Sequence, residues 1–346
     1  MNRFTATRKK LTRWFKEAIK DNLLRALRYA GYPLVLAFNS WLRSKKLFVL
    51  YRLHGNSIGD TLVMTGVVRC IAEDLSCRVI VYVKQNDGIF LHNPHVLFCR
   101  SYEKMNRLEK TLIKSGLDIL RGSNIAKYHP QMRDVNRHLL NHREHAIITN
   151  SRHIRGLEYR TLRTEIAFSE EENQRLDRML DLPPTYAVVK PTGKTSVTTK
   201  KEWRMEHFQL VIDSFPDFLW VQPGVPDEPL LDGVIDLRGK TTLRELFYVI
   251  ANARFTLSIE GLYNHIAGAF LQPSFVVYSG YFFPEAFAYK NTTAIIQEHL
   301  PDCSPCFLDG LKDCPVPRKP CMSELKPESA IDTIRRTLAQ RTSDET

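Results

Sequence analysis

The chain has 346 residues, 43% of them hydrophobic and 25% charged, which is typical of a globular protein large enough for two domains. No run of about 18 apolar residues occurs, so we expect no transmembrane helix, and the early apolar stretch at 29–42 lies too far in for a secretory signal. Residues 1–46 carry +10 of the net charge of +11, a distribution that argues against binding of nucleic acid along the chain.

Residues 1–46 are predicted to form a basic amphipathic helical segment. Leu11, Phe15 and Ile19 recur at helical spacing, and lysines and arginines occupy much of the remaining surface. A basic helix with aromatic residues on its apolar side is typical of contact with an anionic membrane surface. The alternative is a helix that docks on its own domain and leaves its charged side in water.

Two series of short apolar strands follow, separated by Pro183-Pro184. The first series, at 47–182, has predicted strands at 47–53, 78–83 and 146–149. The second series, at 183–346, has predicted strands at 186–190, 218–221, 234–237, 255–259 and 274–278. Strands that alternate with helices indicate parallel sheets covered on both faces. We therefore predict an α/β fold of two Rossmann-like, doubly wound parallel-sheet domains with a cleft between them.

Asp60 stands where the turn after the first predicted strand enters a helix. Open α/β sheets bind their ligands beyond the carboxyl ends of the strands, so this carboxylate is a candidate functional group. The alternative is that Asp60 only caps the helix by accepting hydrogen bonds from free backbone N–H groups.

The second domain opens with a strand that leads into a loop of hydroxyl and lysine residues. Gly193-Lys194-Thr195 invites a P-loop interpretation, which fails because Val188 stands where that loop needs its first glycine. Hydroxyls, backbone N–H groups and ammonium charges nevertheless suit a diphosphate. The alternative is a solvated basic loop. The candidate residues for such an anion are Thr192, Thr195, Ser196 and Lys201.

Two further carboxylates follow predicted strands of the second domain. Glu228 could accept hydrogen bonds from ribose hydroxyls, as acids do at other nucleotide sites. Glu260-Gly261 follow the strand at 255–259 and lead into a helix that carries His265. A single histidine near a helix start is more often structural than catalytic, so both roles stay open for His265.

The order and spacing of these segments resemble the bacterial family of ADP-heptose:lipopolysaccharide heptosyltransferases, over about residues 47–325. The similar motifs are Ser57-Ile58-Gly59-Asp60-Thr61-Leu62, Lys201-Glu202-Trp203, Gly224 to Glu228, the segment 238–246, and Glu260 to Phe270. Three departures leave the donor open: Glu260 replaces the usual aspartate, Gly261-Leu262 replace a Ser-Gly pair, and Gly66 stands where proline is common. The resemblance implies a GT-B fold and inverting sugar transfer that requires no cofactor.

The resemblance also implies a role for each candidate residue. Asp60 would be the base that takes the proton of the acceptor hydroxyl. Lys201, with Thr192, Thr195 or Ser196, would neutralise the departing diphosphate. Glu228 would hold the ribose, the helix entered from Glu260-Gly261 would offer backbone N–H groups, and His265 could contact a phosphate or a sugar hydroxyl.

An excess of arginines in the first domain predicts an anionic acceptor, with a solvated surface as the alternative. The candidate acceptor-binding residues are Arg121, Arg133, Arg137 and Arg143. His138, His142 and His145 share one face of a predicted helix. Their spacing permits metal binding, but a solvated or acceptor-facing stripe fits it better.

Four cysteines cluster in a proline-rich loop at 303–321, before a final helix predicted to pack back on the domain. A Cys-x-x-Cys pair with two later cysteines could bind zinc or iron as a tetrathiolate. The related autotransporter heptosyltransferases are described as holding iron on such cysteines, and the alternative is reduced thiols or a disulfide. The candidate ligands are Cys303, Cys306, Cys314 and Cys321.

We therefore expect a glycosyltransferase that moves a sugar, such as the heptose of ADP-heptose, to a lipopolysaccharide core or another anionic glycolipid. Its expected location is cytoplasmic, on the inner face of the inner membrane. The alternatives are a transferase that glycosylates a protein and a membrane-bound nucleotide-sugar binding module that has lost turnover.

Overall fold

In the computed structural model, the described residues are 32–128, 130, 143–193, 198–309 and 311–344. Of the basic helical segment predicted for residues 1–46, residues 1–31 lie outside these ranges, and a helix is present at Tyr32–Ser44. Within them, two parallel sheets of four and six strands fall on either side of Pro183-Pro184. None of the described helices is long and apolar enough to cross a membrane. The prediction of an α/β protein with two doubly wound parallel sheets is confirmed.

The first sheet lies in the first half of the chain. Its strands are β1 Leu47–Arg52, β2 Arg78–Val83, β3 Val96–Ser101 and β4 Ile125–Lys127. They are arranged in the order β3-β2-β1-β4 with parallel neighbours. The helices of this half are α1 Tyr32–Ser44, α2 Ile58–Asp74, α3 Arg107–Leu120, α4 Ala146–Ser151 and α5 Glu170–Leu180.

The second sheet is built outward from its first strand. Its strands are β5 Tyr186–Lys190, β6 Leu219–Gly224, β7 Ile235–Arg238, β8 Phe255–Ile259, β9 Ser274–Val277 and β10 Thr292–Ile295. The order β10-β9-β8-β5-β6-β7 grows in both directions from β5, which is the doubly wound order of a Rossmann fold. Its helices are α6 Met205–Asp213, α7 Leu243–Ala251, α8 Leu262–Phe270, α9 Pro320–Ser323 and α10 Pro327–Asp344.

The hydrophobic core is continuous between the two halves. One cluster of buried side chains contains Phe48 and Ile147 of the first half together with Val188 and Tyr289 of the second. A second cluster lies within the second half, where Ile334 of α10 packs with residues of α6. The domain boundary predicted at 182/183 stays a prediction, because the core runs across it.

Two local predictions need correction. Residues 146–149, predicted as a strand, belong to the helix α4, whose start is capped by His145 through a hydrogen bond from the Ile147 backbone N–H to Nδ1 at 3.2 Å. A short apolar run fits a strand and a buried helix equally well, so its period alone could not decide. The strands β3, β4 and β10 were not predicted, because β3 is half exposed at the sheet edge, β4 has only three residues, and β10 mixes threonines with apolar residues.

Candidate active site

Both sheets have a switch point, where the direction of strand addition reverses. In each sheet, the first strand lies beside a strand that was added on its other side, β1 beside β4 and β5 beside β8. The carboxyl ends of strands at such a switch point are where open α/β sheets bind ligands. Asp60 follows β1, and Glu260 follows β8.

Asp60 lies in the first turn of α2 and is not its cap. The cap is Ser57, whose Oγ accepts a hydrogen bond from the Asp60 backbone N–H at 3.2 Å. The capping role considered for Asp60 therefore belongs to Ser57. The Asp60 side chain keeps 24% of its surface exposed, so its carboxylate is accessible.

Arg52, the last residue of β1, orients this carboxylate. Its Nη2 lies 3.0 Å from Asp60 Oδ2, while its Nη1 donates to the Ser57 carbonyl at 3.1 Å and to the Thr61 hydroxyl at 2.7 Å. The guanidinium is almost fully buried and spans the turn from strand to helix. Our sequence reasoning missed Arg52. The signal was a charged residue at the end of an otherwise apolar strand.

His265 joins the two halves of the molecule. A Cβ built on Gly59 would lie 3.3 Å from the His265 ring, so the turn before Asp60 packs directly against the second half. The Thr164 hydroxyl donates to the His265 carbonyl at 2.5 Å, and His265 Nδ1 lies 2.8 Å from the Tyr289 hydroxyl. Burial lowers the pKa of His265 to about 3, so the ring is neutral. These contacts fit the structural role considered for His265.

Lys201 is paired with the atypical Glu260. The Lys201 ammonium forms a salt bridge with the Glu260 carboxylate, and Glu260 is nearly buried. The same ammonium lies 5.1 Å from the ring centres of both Tyr281 and Phe282. Aromatic faces attract a cation, so Lys201 is held on three sides. A diphosphate that bound Lys201 would compete with a carboxylate of the protein itself.

A second lysine–glutamate pair lies at the neighbouring strand end. Lys190, the last residue of β5, forms a salt bridge with Glu228 and lies 3.2 Å from the Thr192 hydroxyl. A Cβ at Gly224 would overlap the Glu228 carboxylate, so only glycine leaves room for this arrangement. Burial lowers the pKa of Lys190, against the opposing effect of Glu228. Lys190 is a second residue that our sequence reasoning missed.

Some of the remaining candidate site residues belong to the described part of the chain, and others do not. Thr195, Ser196, Arg133, Arg137, His138 and His142 lie outside the described residues. Gly261 begins the turn into α8 with a φ of 159° and open space beside it. Arg121 is exposed at the end of α3, where it lowers the pKa of Tyr51 against the larger effects of burial and Asp118.

Arg143 reaches the second half and lines a cleft there. Its guanidinium forms a salt bridge with Glu285 and lies 4.1 Å from the Phe283 ring centre. An open cleft of about 720 Å³ runs from Arg143 to Ser304, with Glu298 among its lining residues. Because the lining includes several acids, Arg143 is not part of a uniformly basic wall at this place.

His145 is buried beside Tyr289, with their ring centres 5.1 Å apart. Burial lowers its pKa to about 4. A neutral, packed imidazole that caps α4 is structural, so His145 does not contribute to the metal-binding or solvated stripe considered for this region.

Lys200 holds the loop 303–321, and both belong to the second half of the chain. The buried Lys200 ammonium donates to the Cys306 carbonyl at 3.1 Å and to the Asp309 carboxylate at 2.5 and 2.6 Å. Among the described residues, no group of three or more His, Cys, Asp or Glu side chains is arranged to hold a metal ion. Burial raises the pKa of Cys306 to about 12 and also raises that of Cys321, which favours protonated thiols.

Comparison with known proteins supports the fold. No family model matches the chain, and no curated protein matches it by sequence. Among solved structures, the iron-containing dodecameric glycosyltransferase TibC from enterotoxigenic E. coli H10407 is similar, with 14% identity, a TM-score of 0.62, and coverage of 86% of this chain and 77% of that chain. A family 9 glycosyltransferase from Veillonella parvula has 15% identity, a TM-score of 0.62, and coverage of 85% and 97%.

The ADP-heptose lipopolysaccharide heptosyltransferase II of E. coli is also similar, with 14% identity, a TM-score of 0.58, and coverage of 86% of this chain and 99% of that chain. At these identities the likeness shows the fold. The predicted GT-B fold is therefore confirmed, and the resemblance read from the motifs is supported at the level of architecture.

Proposed function

We propose that this chain is an inverting glycosyltransferase that moves a sugar from a nucleotide diphosphate donor to an anionic glycolipid. The observation that carries the proposal is the contact between the start of α2 and His265, which brings Asp60 beside the strand ends of the second sheet. This contact, together with the two lysine–glutamate pairs at strand ends of the second sheet, supports a carboxylate and lysines in one site. Glycosyltransferases share the fold. Sugar transfer needs both groups.

In the proposed reaction, the acceptor hydroxyl oxygen attacks the anomeric carbon, and the bond from that carbon to the diphosphate oxygen breaks. Asp60 takes the proton of the attacking hydroxyl, with its carboxylate oriented by Arg52. The electron pair of the broken bond goes to the diphosphate, whose charge Lys201 would offset. Inversion follows because the acceptor attacks the face opposite the leaving group.

The donor would lie along the carboxyl ends of β5, β6 and β8. Glu228 would accept hydrogen bonds from the ribose, and Lys190 and Lys201 would face the diphosphate. TibC has been solved with ADP-D-β-D-heptose and the E. coli heptosyltransferase WaaC with an ADP-heptose analogue. We propose the same donor class here, with heptose as the sugar.

The acceptor would meet the first half of the chain, where Arg121 and the undescribed Arg133 and Arg137 supply positive charge. An anionic glycolipid such as a lipopolysaccharide core fits this charge. A glycolipid acceptor also requires access to a membrane, so we propose a peripheral location on the inner face of the inner membrane.

The two salt bridges favour one second candidate. Among the described residues of the site, Lys201 and Lys190 are already paired with Glu260 and Glu228, which reduces the positive charge that these two lysines offer to a leaving group. A nucleotide-sugar binding module with reduced turnover would have this feature. It predicts donor binding without release of nucleoside diphosphate.

TibC is described as containing iron. Among the described residues of this chain, no group of side chains is arranged to hold a metal ion, although Cys306 and Cys321 each interact electrostatically with Cys303. A structural metal on this loop therefore stays a prediction. No step of the proposed reaction passes through a metal.

Two measurements test the proposal. A thermal-shift screen of ADP-, GDP- and UDP-sugars should show stabilisation by one nucleotide class, because a ligand that binds only the folded state raises its stability. Release of the nucleoside diphosphate in the presence of glycolipid should then follow for that donor. Stabilisation without release would favour the binding module, and no stabilisation by any donor would contradict both.

A further inference from the structure

The helix α1 has two apolar faces, and the fold covers one of them. Val35, Asn39 and Leu42 face inward with exposures of 7%, 5% and 1%. Asn39 anchors the helix, because its Nδ2 donates to the Leu120 carbonyl at 3.1 Å and its Oδ1 accepts from the Asn124 backbone N–H at 2.8 Å. The helix is therefore fixed to the first half with a defined orientation.

The outward face of α1 is also apolar. Leu34, Phe38 and Trp41, spaced four and three residues apart, share one side of the outward surface and are 73%, 37% and 49% exposed. The Phe38 and Trp41 rings stack with their centres 5.6 Å apart. The sequence from Tyr32 to Leu42 contains no charged residue. Exposed apolar side chains on an anchored helix indicate an interaction surface, because soluble proteins rarely expose large contiguous apolar patches.

Positive charge flanks this face on both sides along the chain. Arg43, Lys45 and Lys46 follow it and are exposed. Residues 1–31 precede it with nine lysines and arginines against two acids. A second copy of the chain would bring the same positive charge against this one, which opposes self-association through α1. An anionic lipid surface is complementary to both the charge and the apolar face.

The length of α1 fixes how it could enter a bilayer. Its 13 residues span about 20 Å, which is less than the roughly 30 Å of a hydrocarbon core. An anchored helix of this length would lie in the plane of the interface. Trp41 and Phe38 would then reach the headgroup boundary, where aromatic residues are favoured, and Arg43, Lys45 and Lys46 would meet lipid phosphates.

We propose that the outward face of α1 that carries Leu34, Phe38 and Trp41 docks on an anionic membrane, with Arg43, Lys45 and Lys46 as its electrostatic rim. This inference concerns a surface apart from the candidate active site and does not depend on sugar transfer. It goes beyond the membrane contact predicted for residues 1–46 as a whole, because it assigns docking to one face of a helix that is fixed to the fold.

The test is co-sedimentation of the full chain with phosphatidylcholine vesicles that contain or lack phosphatidylglycerol. We expect binding only to the anionic vesicles. The triple variant Leu34→Ser/Phe38→Ser/Trp41→Ser should lose at least about tenfold in vesicle affinity, because the apolar contribution is removed while the charge stays. The matched control Leu210→Ser/Leu219→Ser/Leu311→Ser, exposed to a similar degree in the second half, should bind like the unchanged chain.

A second variant separates the rim from the apolar face. Arg43→Glu/Lys45→Glu/Lys46→Glu should weaken binding to anionic vesicles at low salt. Quenching of fluorescence by brominated lipid should be smaller in Trp41→Phe than in the unchanged chain, if Trp41 enters the bilayer. Circular dichroism of each variant checks that the surface changes leave the fold intact.

Three results would overturn the inference. The triple variant could bind vesicles as tightly as the control, which would assign binding to residues 1–31. Sedimentation velocity could show that the triple variant converts an oligomer to a monomer without a change in vesicle binding, which would make the face a contact between copies. Finally, Trp41 could remain unquenched by brominated lipid while the protein is bound.

Discussion

Arg52 Nη2 lies 3.0 Å from Asp60 Oδ2, and the same guanidinium donates to the Ser57 carbonyl and the Thr61 hydroxyl. The carboxylate is therefore oriented by the strand that precedes its helix. One oxygen of Asp60 is engaged by Arg52 in this pair, and the side chain still reaches solvent. This orientation and partial exposure fit the role of proton acceptor that we propose for Asp60.

Removal of the Asp60 charge should separate binding from turnover. We expect Asp60→Asn to lower the transfer rate by about 10²- to 10⁴-fold, the range typical of a lost general base. Donor binding, measured by thermal shift, should persist because the donor contacts that we propose lie in the second half. The control Asp332→Asn changes an exposed acid on α10 and should leave the rate unchanged. Equal rates for the two variants would exclude Asp60 as the base.

Arg52 should act on the rate through Asp60. We expect Arg52→Met to lower kcat with little change in the KM for the donor, because Arg52 orients the carboxylate and does not face the diphosphate. Arg52→Lys should recover part of kcat, since one hydrogen bond to Asp60 can be kept. Loss of the buried guanidinium should also cost about 1–3 kcal/mol of unfolding free energy. A change in KM alone would contradict the positioning role.

Glu260 should compete with the donor for Lys201. Glu260→Gln removes the internal counter-charge, so we expect nucleoside diphosphate to bind about tenfold more tightly, an effect of the size of one charged hydrogen bond. Lys201→Met should weaken binding of the same nucleotide, whereas the exposed Lys290→Met should not. Isothermal calorimetry measures all three. Weaker binding by Glu260→Gln would show that Glu260 supports the donor directly.

Buried histidines should make the protein sensitive to acid. The pKa of His265 is about 3 in the folded state against the ordinary 6.5, so the unfolded chain takes up a proton below pH 6.5 that the folded chain does not. The neutral ring thus contributes stability that is fully present above pH 6.5 and is lost as the pH falls toward 3. The slope for one such group approaches about 1.4 kcal/mol per pH unit.

Urea unfolding at several pH values between about 5 and 7.5 measures this slope. His265→Gln should make it shallower, and His145→Gln should do the same because the pKa of His145 is lowered to about 4. The exposed His299→Gln serves as the control and should keep the slope. An unchanged slope in both buried variants would mean that these rings are accessible to protons.

Lys200 should hold the cysteine loop in place. We expect Lys200→Met to lower the unfolding free energy by about 3 kcal/mol, because Asp309 and the Cys306 carbonyl lose their partner. Lys312→Met, a change in the loop itself, should cost much less, because Lys312 is exposed. Metal analysis of the purified protein tests separately whether Cys303, Cys306, Cys314 and Cys321 bind iron or zinc. A stable Lys200→Met variant would contradict the clamp.

The presence of two parallel sheets was predictable because most of their strands are short apolar runs that alternate with helices. Tyr186–Lys190 and Phe255–Ile259 are buried over almost their whole length, so the sequence pattern and the structure coincide there. Residues 146–149 were wrongly predicted as a strand, because a short apolar run fits a strand and a helix equally well and the start of this helix is fixed by the contact between His145 and the Ile147 N–H. That contact depends on tertiary placement.

The sequence predicted where along the chain the candidate site residues lie, but not which of them form salt bridges with each other. Strand ends and helix starts identified Asp60, Glu228 and Glu260, since those places follow from the chain order. The sequence did not reveal that Glu260 and Lys201, 59 positions apart, would form a salt bridge. Long-range pairing depends on how the sheet brings loops together, which local patterns do not encode.

The buried cluster that joins the two halves has a consequence for motion and for dissection of the chain. Val188 and Tyr289 share that cluster with Phe48 and Ile147, so a cut at Pro183-Pro184 would expose apolar surface on both fragments. Neither fragment should fold alone, and the pair should unfold in one cooperative step. We therefore expect any opening that admits a substrate to occur by sliding of packed helices or by loop movement. A hinge motion between the halves would expose the apolar side chains of the shared cluster to water.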